Sequence, residues 1–268
     1  MRFLDCVATV VRWLIVVLII GLMWFFAVQA VRGQSVPLVR AQHDSFVSYY
    51  DVQAHNPALV VYQLEAKHFA GSYKVKGRHF KADTQLPRPR LKDSDYTNSG
   101  YVRGHLCSAG DRDSDKAWLK ETYLTSNLVP MTMVCNSGPF KAIEDSCRFL
   151  ALQGHRLQLA RGPLYDAIVW PQESVIHTPA RLTIPAGFFC AGRCIDCGLR
   201  RFWWCRNVGT EGLQVVIQRR SGEASDVIQD GCRDAADVLR FMNDPRVSLL
   251  LSNIIGLWSR EEYETITR

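Results

Sequence analysis

No internal repeat and no low-complexity linker runs through these 268 residues, which excludes solenoid arrays and long disordered tethers. Acid is nearly missing from one stretch. Lys74, Lys76, Arg78, Lys81, Arg88, Arg90 and Lys92 stand there against Asp83 alone, and they carry nearly all the excess behind a formal charge of +6. Such a run attracts a phosphodiester backbone, although a solvated basic loop has the same composition. Charge of either sign is absent from Trp13 to Val28, sixteen apolar residues in a row. That is long for a signal-peptide core and short for a spanning helix. Arg2 and Arg12 precede the run and Arg32 follows it, a bias that keeps the N-terminus in the cytoplasm. Residues 1–30 are therefore expected to be a signal peptide or an N-terminal membrane anchor. The remainder would be secreted, periplasmic or membrane-anchored outside the cytoplasm. A mitochondrial presequence, which is amphipathic, fits an all-round apolar run less well.

Ligand-type spacing is also missing from most of the histidines, and His43, His55, His68, His79, His155 and His177 are assigned no metal. Cysteine is not scarce. Eight lie beyond the leader: Cys107, Cys135, Cys147, Cys190, Cys194, Cys197, Cys205 and Cys232. An even number behind an export segment reads as disulfides, with 105 pairings open. In "CAGRCIDCGLRRFWWC" zinc is one alternative, although the spacing is a poor match to paired knuckles, and free buried thiols are the other.

A hydrophobic content of 47% and a charged content of 22% allow a full core. The expected organisation is a linker over 31–45, a globular domain over 46–258 with 190–205 as a disulfide-stapled excursion, and a tail over 259–268. "FVSYYD" and "ALVVYQLEA" read as a hairpin over 46–66. "TYLTSNLVPM" reads as a short strand and its exit, and "CNSGPFKAIEDSCRFLALQG" as a helix. Pro139 suits its first turn, Asn136 and Ser137 can cap it, and Phe140, Ile143, Cys147 and Leu150 face a core. Short strands return after Gly154, and one further helix is expected over 233–243. Strands and helices do not alternate regularly, so the fold class is α+β, a mostly antiparallel sheet flanked by helices.

The chemistry gathers around "SGYVRGHLCSAGDR". His105 ends a strand-like segment, and histidine is the side chain whose unperturbed pKa lies near neutrality, which suits a general base. Glu144 and Arg148, four apart, share a helix face. Asn136 offers a neutral oxygen at that helix's start, with Glu144 leaning back toward it. One base, one amide oxygen, one carboxylate and two guanidiniums suit phosphodiester hydrolysis with a single hard cation. Arg103 and Arg148 would grip phosphate oxygens.

These residues resemble the signature of the DNA/RNA non-specific endonucleases of the ββα-metal (His-Me finger) superfamily. That signature is Asp-Arg-Gly-His, a Ser-Asn pair, and an asparagine opening a helix that carries a glutamate and an arginine. Here "RGH" is Arg103–His105 and "SNLVP" supplies Asn127. Asn136 follows Asn127 by nine residues, Glu144 follows by eight and Arg148 by four. "FVSYYDVQAHNPALVVYQL", "GPLY" (Gly162–Tyr165) and "IPAGFF" (Ile184–Phe189) resemble the family's hairpin and later strands.

The resemblance implies a Mg²⁺-dependent, sugar-non-specific endonuclease, with Mn²⁺ able to substitute, leaving 5′-phosphate and 3′-hydroxyl ends. It implies His105 as general base, Asn136 as direct metal ligand, and Glu144 as a metal partner through water. Asn127 would support the site, Arg103 and Arg148 would contact phosphate, and Arg88 or Arg90 would reach substrate. The partners expected are DNA and RNA, the membrane through residues 1–30 if retained, and a second copy of the chain. Val102 departs from the family's aspartate, which gives weight to an alternative: a degenerate nuclease fold that only binds nucleic acid or a protein. "RRFWWCR" offers arginines and stacking rings for such binding, or simply a core strand edged by arginines.

Overall fold

The computed structural model describes residues 37–75, 77, 80–165, 176–177, 182–197 and 199–207. Their backbone is built around a six-stranded antiparallel sheet in the order β1-β2-β3-β6-β9-β10. The strands are β1 (Val39–Gln42), β2 (Val47–Asp51), β3 (Asn56–Leu64), β6 (Leu157–Leu164), β9 (Gly187–Cys194) and β10 (Arg200–Arg206). β4 (Val102–His105) and β5 (Leu128–Met131) form a separate antiparallel pair, as do β7 (Ile176–His177) and β8 (Thr183–Ile184). Three short-to-medium helices complete the described residues: α1 (Lys116–Glu121), α2 (Met133–Ser137) and α3 (Pro139–Leu152). This is the expected α+β class.

Composition explains the central strand. In β3, "NPALVVYQL" is buried at every position but Gln63, because β2 and β6 pair with its two edges and both faces are covered. The expected hairpin over 46–66 is β2–β3, with a register shift at Tyr49/Tyr50. α3 lies against this sheet. Phe140, Ile143, Cys147 and Ala151 recur at helical spacing, and all are buried among Val60, Tyr62, Leu159, Phe188, Cys190 and Trp203. Leu150 sits at the margin of that core.

Four expectations change. The linker over 31–45 contains a strand, since β1 pairs along β2 from Val39↔Tyr50 to Gln42↔Val47. The helix expected to start under Asn136 is two helices. Thr132 caps α2 by accepting from the Cys135 N–H at 3.1 Å, Asn136 lies inside α2, and the chain breaks at Gly138 before Pro139 opens α3. A side chain at Gly138 would put its Cβ 2.8 Å from the Val134 carbonyl oxygen, so this break needs glycine. Residues 190–205 are not an excursion but the β9–β10 hairpin at the sheet's edge, where Trp203 and Cys205 turn into the core.

The disulfides are the fourth correction. All seven cysteines among the described residues are free thiols, six of them buried. Cys135 and Cys205 approach to 3.8 Å between sulfurs, as do Cys147 and Cys190. That is far beyond the roughly 2.05 Å of a bond. Cys135, Cys147 and Cys205 fill the helix–sheet interface as small apolar side chains, and the Cys190 sulfur also accepts from the Arg161 guanidinium at 3.4 Å. Cys232, the helix expected at 233–243 and residues 1–36 lie outside the described residues.

Candidate active site

The β4–β5 ladder positions the opening motif. Arg103 faces Pro130, Gly104 faces Val129 and His105 faces Leu128. Gly104 is not a turn residue. It is glycine because a Cβ there would fall 2.7 Å from the Met131 side chain, which packs directly over the strand. Asn127 locks the exit of β4. Its Oδ1 accepts from the Cys107 N–H at 2.7 Å, and its Nδ2 donates to the carbonyls of Cys107 (2.9 Å) and Thr122 (2.8 Å). Fully buried, it satisfies three backbone groups that sheet pairing does not reach.

His105, Arg103 and Asn136 line one cavity of about 220 Å³, together with Phe80, Val102, Tyr123 and Met133. The His105 ring is held edge-on by Tyr123, with centroids 5.1 Å apart, and tilted against Phe80 at 5.7 Å. Burial pushes its pKa down to about 4, so the imidazole is neutral at neutral pH. Its Nε2 is buried with no hydrogen-bond partner among the described residues. The Arg103 guanidinium lies over the rings of Phe80 and Tyr96, pairs with the Asp93 carboxylate and donates to the Asp93 carbonyl at 2.6 Å.

Glu144 and Arg148 belong to a neighbouring network. Arg148 donates to Asp111 Oδ1 (2.8 Å), Ser108 Oγ (2.9 Å) and Asp145 Oδ1 (3.1 Å), and lies 3.6 Å from Glu144. Arg161, wholly buried, approaches Glu144 at 3.7 Å and Asp111 at 3.8 Å, and donates to the Leu106 carbonyl at 3.2 Å. Asp111 also accepts from the Tyr62 hydroxyl at 2.7 Å. Burial raises the Glu144 pKa, while the Arg161 charge opposes that rise. Two guanidiniums, Arg148 and Arg161, thus face the carboxylates of Asp111 and Glu144, with Asp145 at the exposed margin, beside the strand that carries His105.

The structure therefore gathers Arg103, His105 and Asn136 at one cavity, puts Asn127 behind it and sets Glu144 with Arg148 in the adjoining network. Arg88 and Arg90 do not line the cavity. Arg88 is exposed, and Arg90 donates back to the carbonyls of Leu86 (2.5 Å) and Thr84 (2.8 Å). Sequence reasoning missed Asp111, Arg161, Phe80 and Tyr123. Only Arg161 had a local signal, its place directly before "GPLY"; the others come from loops without periodicity.

Among the cavity's lining residues Asn136 offers a neutral amide oxygen of the kind a hard cation takes, while Glu144, the carboxylate expected as its partner, lies outside the lining in the adjoining network. Cys107 does not line the cavity, and burial pushes its thiol up to about 12.

Known proteins resemble this chain. "Nuclease EXOG, mitochondrial" of Xenopus laevis is 30% identical over 132 residues, covering 48% of this chain and 37% of the relative. The "Mitochondrial nuclease" of Saccharomyces cerevisiae is 29% identical over 156 residues, covering 54% and 47%. This chain thus spans less than half the length of either relative. A chain of the crystal structure of the EndoG/EndoGI complex shares the fold, with a TM-score of 0.52 and 22% identity over 63% of this chain and 74% of that one. The relatives' names overturn the expected secreted, periplasmic or membrane-anchored location. A sixteen-residue apolar run is compatible with more than one membrane, and its length names none. No helix among the described residues is long and apolar enough to cross a membrane. The sequence model of one family matches residues 31–196, more than half of the chain and all of the cavity's lining, and the chain belongs to that family, the DNA/RNA non-specific endonucleases.

Proposed function

We propose that this chain is a metal-dependent endonuclease that hydrolyses DNA and RNA phosphodiester bonds to 5′-phosphate and 3′-hydroxyl ends. The observation that carries the reading is the convergence of Arg103, His105 and Asn136 on one cavity within the family's matched region. His105, neutral and fixed between Tyr123 and Phe80, takes a proton from the attacking water. The water oxygen bonds to phosphorus, the bond to the 3′ oxygen breaks, and that oxygen takes a proton from solvent water and leaves as a hydroxyl, while His105 later returns its proton to solvent. Arg103, oriented by Asp93, presents positive charge to the non-bridging oxygens. Asn136 would hold Mg²⁺ or Mn²⁺, with Glu144 as its partner through water, and Arg148 would keep Glu144 in place while meeting phosphate from its exposed side. When bound, the cation supplies charge stabilisation to the phosphate and the leaving oxygen. Arg88 is the substrate arm of the basic loop, because it is exposed and Arg90 is folded back.

The test is direct. The purified chain should nick and then degrade supercoiled plasmid and RNA in Mg²⁺ or Mn²⁺ and leave both intact in excess chelator. Equal cutting with and without chelator defeats the single-cation reading. Binding without any cutting favours the degenerate binding fold. The relatives' names suggest the mitochondrion as the place of action. A fluorescent fusion of the full chain that fails to colocalise with mitochondria in its own cells would refute this.

A further inference from the structure

Away from the cavity, one cluster of ligand-type side chains among the described residues remains unexplained. His155, Cys194 and Cys197 present their ligating atoms within 4.8 Å of one another. His155 Nδ1 lies 3.5 Å from the Cys194 sulfur and 3.6 Å from the Cys197 sulfur. Zn–S bonds of about 2.3 Å and a Zn–N bond of about 2.0–2.1 Å, set at the tetrahedral angle, put sulfur and nitrogen roughly 3.5–3.6 Å apart. The observed separations are those of two edges of a zinc tetrahedron.

The backbone around the cluster is shaped for a metal as well. Cys194 ends β9 and Cys197 ends the turn that follows, so the pair is a Cys-x2-Cys knuckle. The Cys197 N–H points at the Cys194 sulfur at 3.4 Å, and the Cys194 N–H donates to the Leu199 carbonyl at 2.7 Å, closing the turn. An amide aimed at a sulfur supports a thiolate there. His155 comes from 39 residues earlier, just past α3. Gly154 turns the chain with φ +93°, and the His155 N–H donates to the Leu150 carbonyl at 3.3 Å. The two segments are also joined by Arg156, whose carbonyl accepts from Ile195 at 2.8 Å and whose guanidinium pairs with Asp196.

We propose that His155, Cys194 and Cys197 bind one zinc ion that fastens the end of α3 to the β9–β10 turn. The two thiols give up their protons on binding, and His155 ligates through Nδ1 as a neutral imidazole. Cys197 is exposed, so a water molecule completes the tetrahedron. The ion is structural. It steadies the helix that bears Glu144 and Arg148 from its far end, and it is separate from the oxygen-ligated cation of the cavity.

The experiment uses the full chain, expressed with zinc in the medium and purified under mild reduction. Elemental analysis should find one zinc per chain that persists in buffer containing excess Mg²⁺ and in Asn136→Ala. Co²⁺ exchanged into the site should show thiolate charge-transfer bands and intense tetrahedral visible bands. Cys197→Ser, at an exposed position, and His155→Ala should each lose the zinc and the cobalt spectrum. Removing zinc should lower the melting temperature of the parent but not that of Cys197→Ser. A reduced parent with neither zinc nor a cobalt spectrum overturns the proposal. So does a cobalt spectrum that survives Cys197→Ser, or a non-reduced mass two protons short from a Cys194–Cys197 disulfide. Zinc content and nuclease activity are read separately, so failure of one leaves the other standing.

Discussion

His105 carries the sharpest consequences at the scale of single residues. His105→Ala should cut turnover by about 10²–10⁴-fold, the usual yield of a positioned general base, with an unchanged circular dichroism spectrum. Asn136→Ala should also be slow, but raised Mg²⁺ should restore part of its activity and none of that of His105→Ala. Near-normal turnover of His105→Ala at neutral pH would remove it as the base. Because burial holds the folded imidazole near pH 4, the acid limb of kcat/KM should fall below the ordinary histidine value of 6.5. The same shift enters stability. The unfolded chain takes up a proton as pH falls through about 6.5, and the folded chain refuses it until about 4. This residue's contribution is therefore whole above about 6.5 and is lost progressively toward 4. Denaturant midpoints measured across that window should decline less in His105→Ala than in the parent.

Elements decide whether those side chains meet. β4 and β5 must lie close enough for Met131 to cover Gly104, so Gly104→Ala should displace the ladder and lower kcat while leaving the large sheet folded. Amide exchange confined to β4 and β5 would verify it, and unchanged kinetics would contradict it. Asn127→Ala strips partners from three buried backbone groups. One such group costs about 1–3 kcal/mol, so chemical denaturation should register a loss at the upper end of that range. Asp111 holds Arg148 and Tyr62 and faces Arg161. Asp111→Asn leaves a buried guanidinium short of a counter-charge, and a loss of about 3–5 kcal/mol is expected from calorimetry or denaturant titration.

Across the whole molecule the basic excess acts on association. Lys74, Lys81, Arg88 and Lys92 are exposed on one segment, with Asp83 buried and bound to His43 at 2.8 Å. Neutralising the four should weaken DNA binding and flatten its salt dependence, by about 0.9 in the slope of log K against log salt for each charge seated at a phosphate. Cleavage at saturating substrate should change far less, because none of the four lines the cavity. A salt slope equal to the parent's would show that the segment is a solvated loop.

What the sequence determined by itself was local or periodic. The α+β class, the β2–β3 hairpin and the buried face of α3 were legible because spacing along the chain sets which residues share a face or a strand end, and the Arg103–His105, Asn127, Asn136, Glu144 series was picked out by its resemblance to a family signature. Tertiary structure decided the rest. Asn136 and Glu144 stand on separate helices because the chain breaks at Gly138, in a conformation that leaves no room for a Cβ. The quartet of buried Asp111 and Arg161 with half-buried Glu144 and Arg148 joins a loop, a helix and a strand that no periodicity connects. Cysteine spacing suggested disulfides, yet the folded chain spreads the sulfurs through the core and draws His155 to Cys194 and Cys197 from the other end of a helix. Distance between side chains remote in sequence is set by packing, and packing is decided only when all the elements are in place.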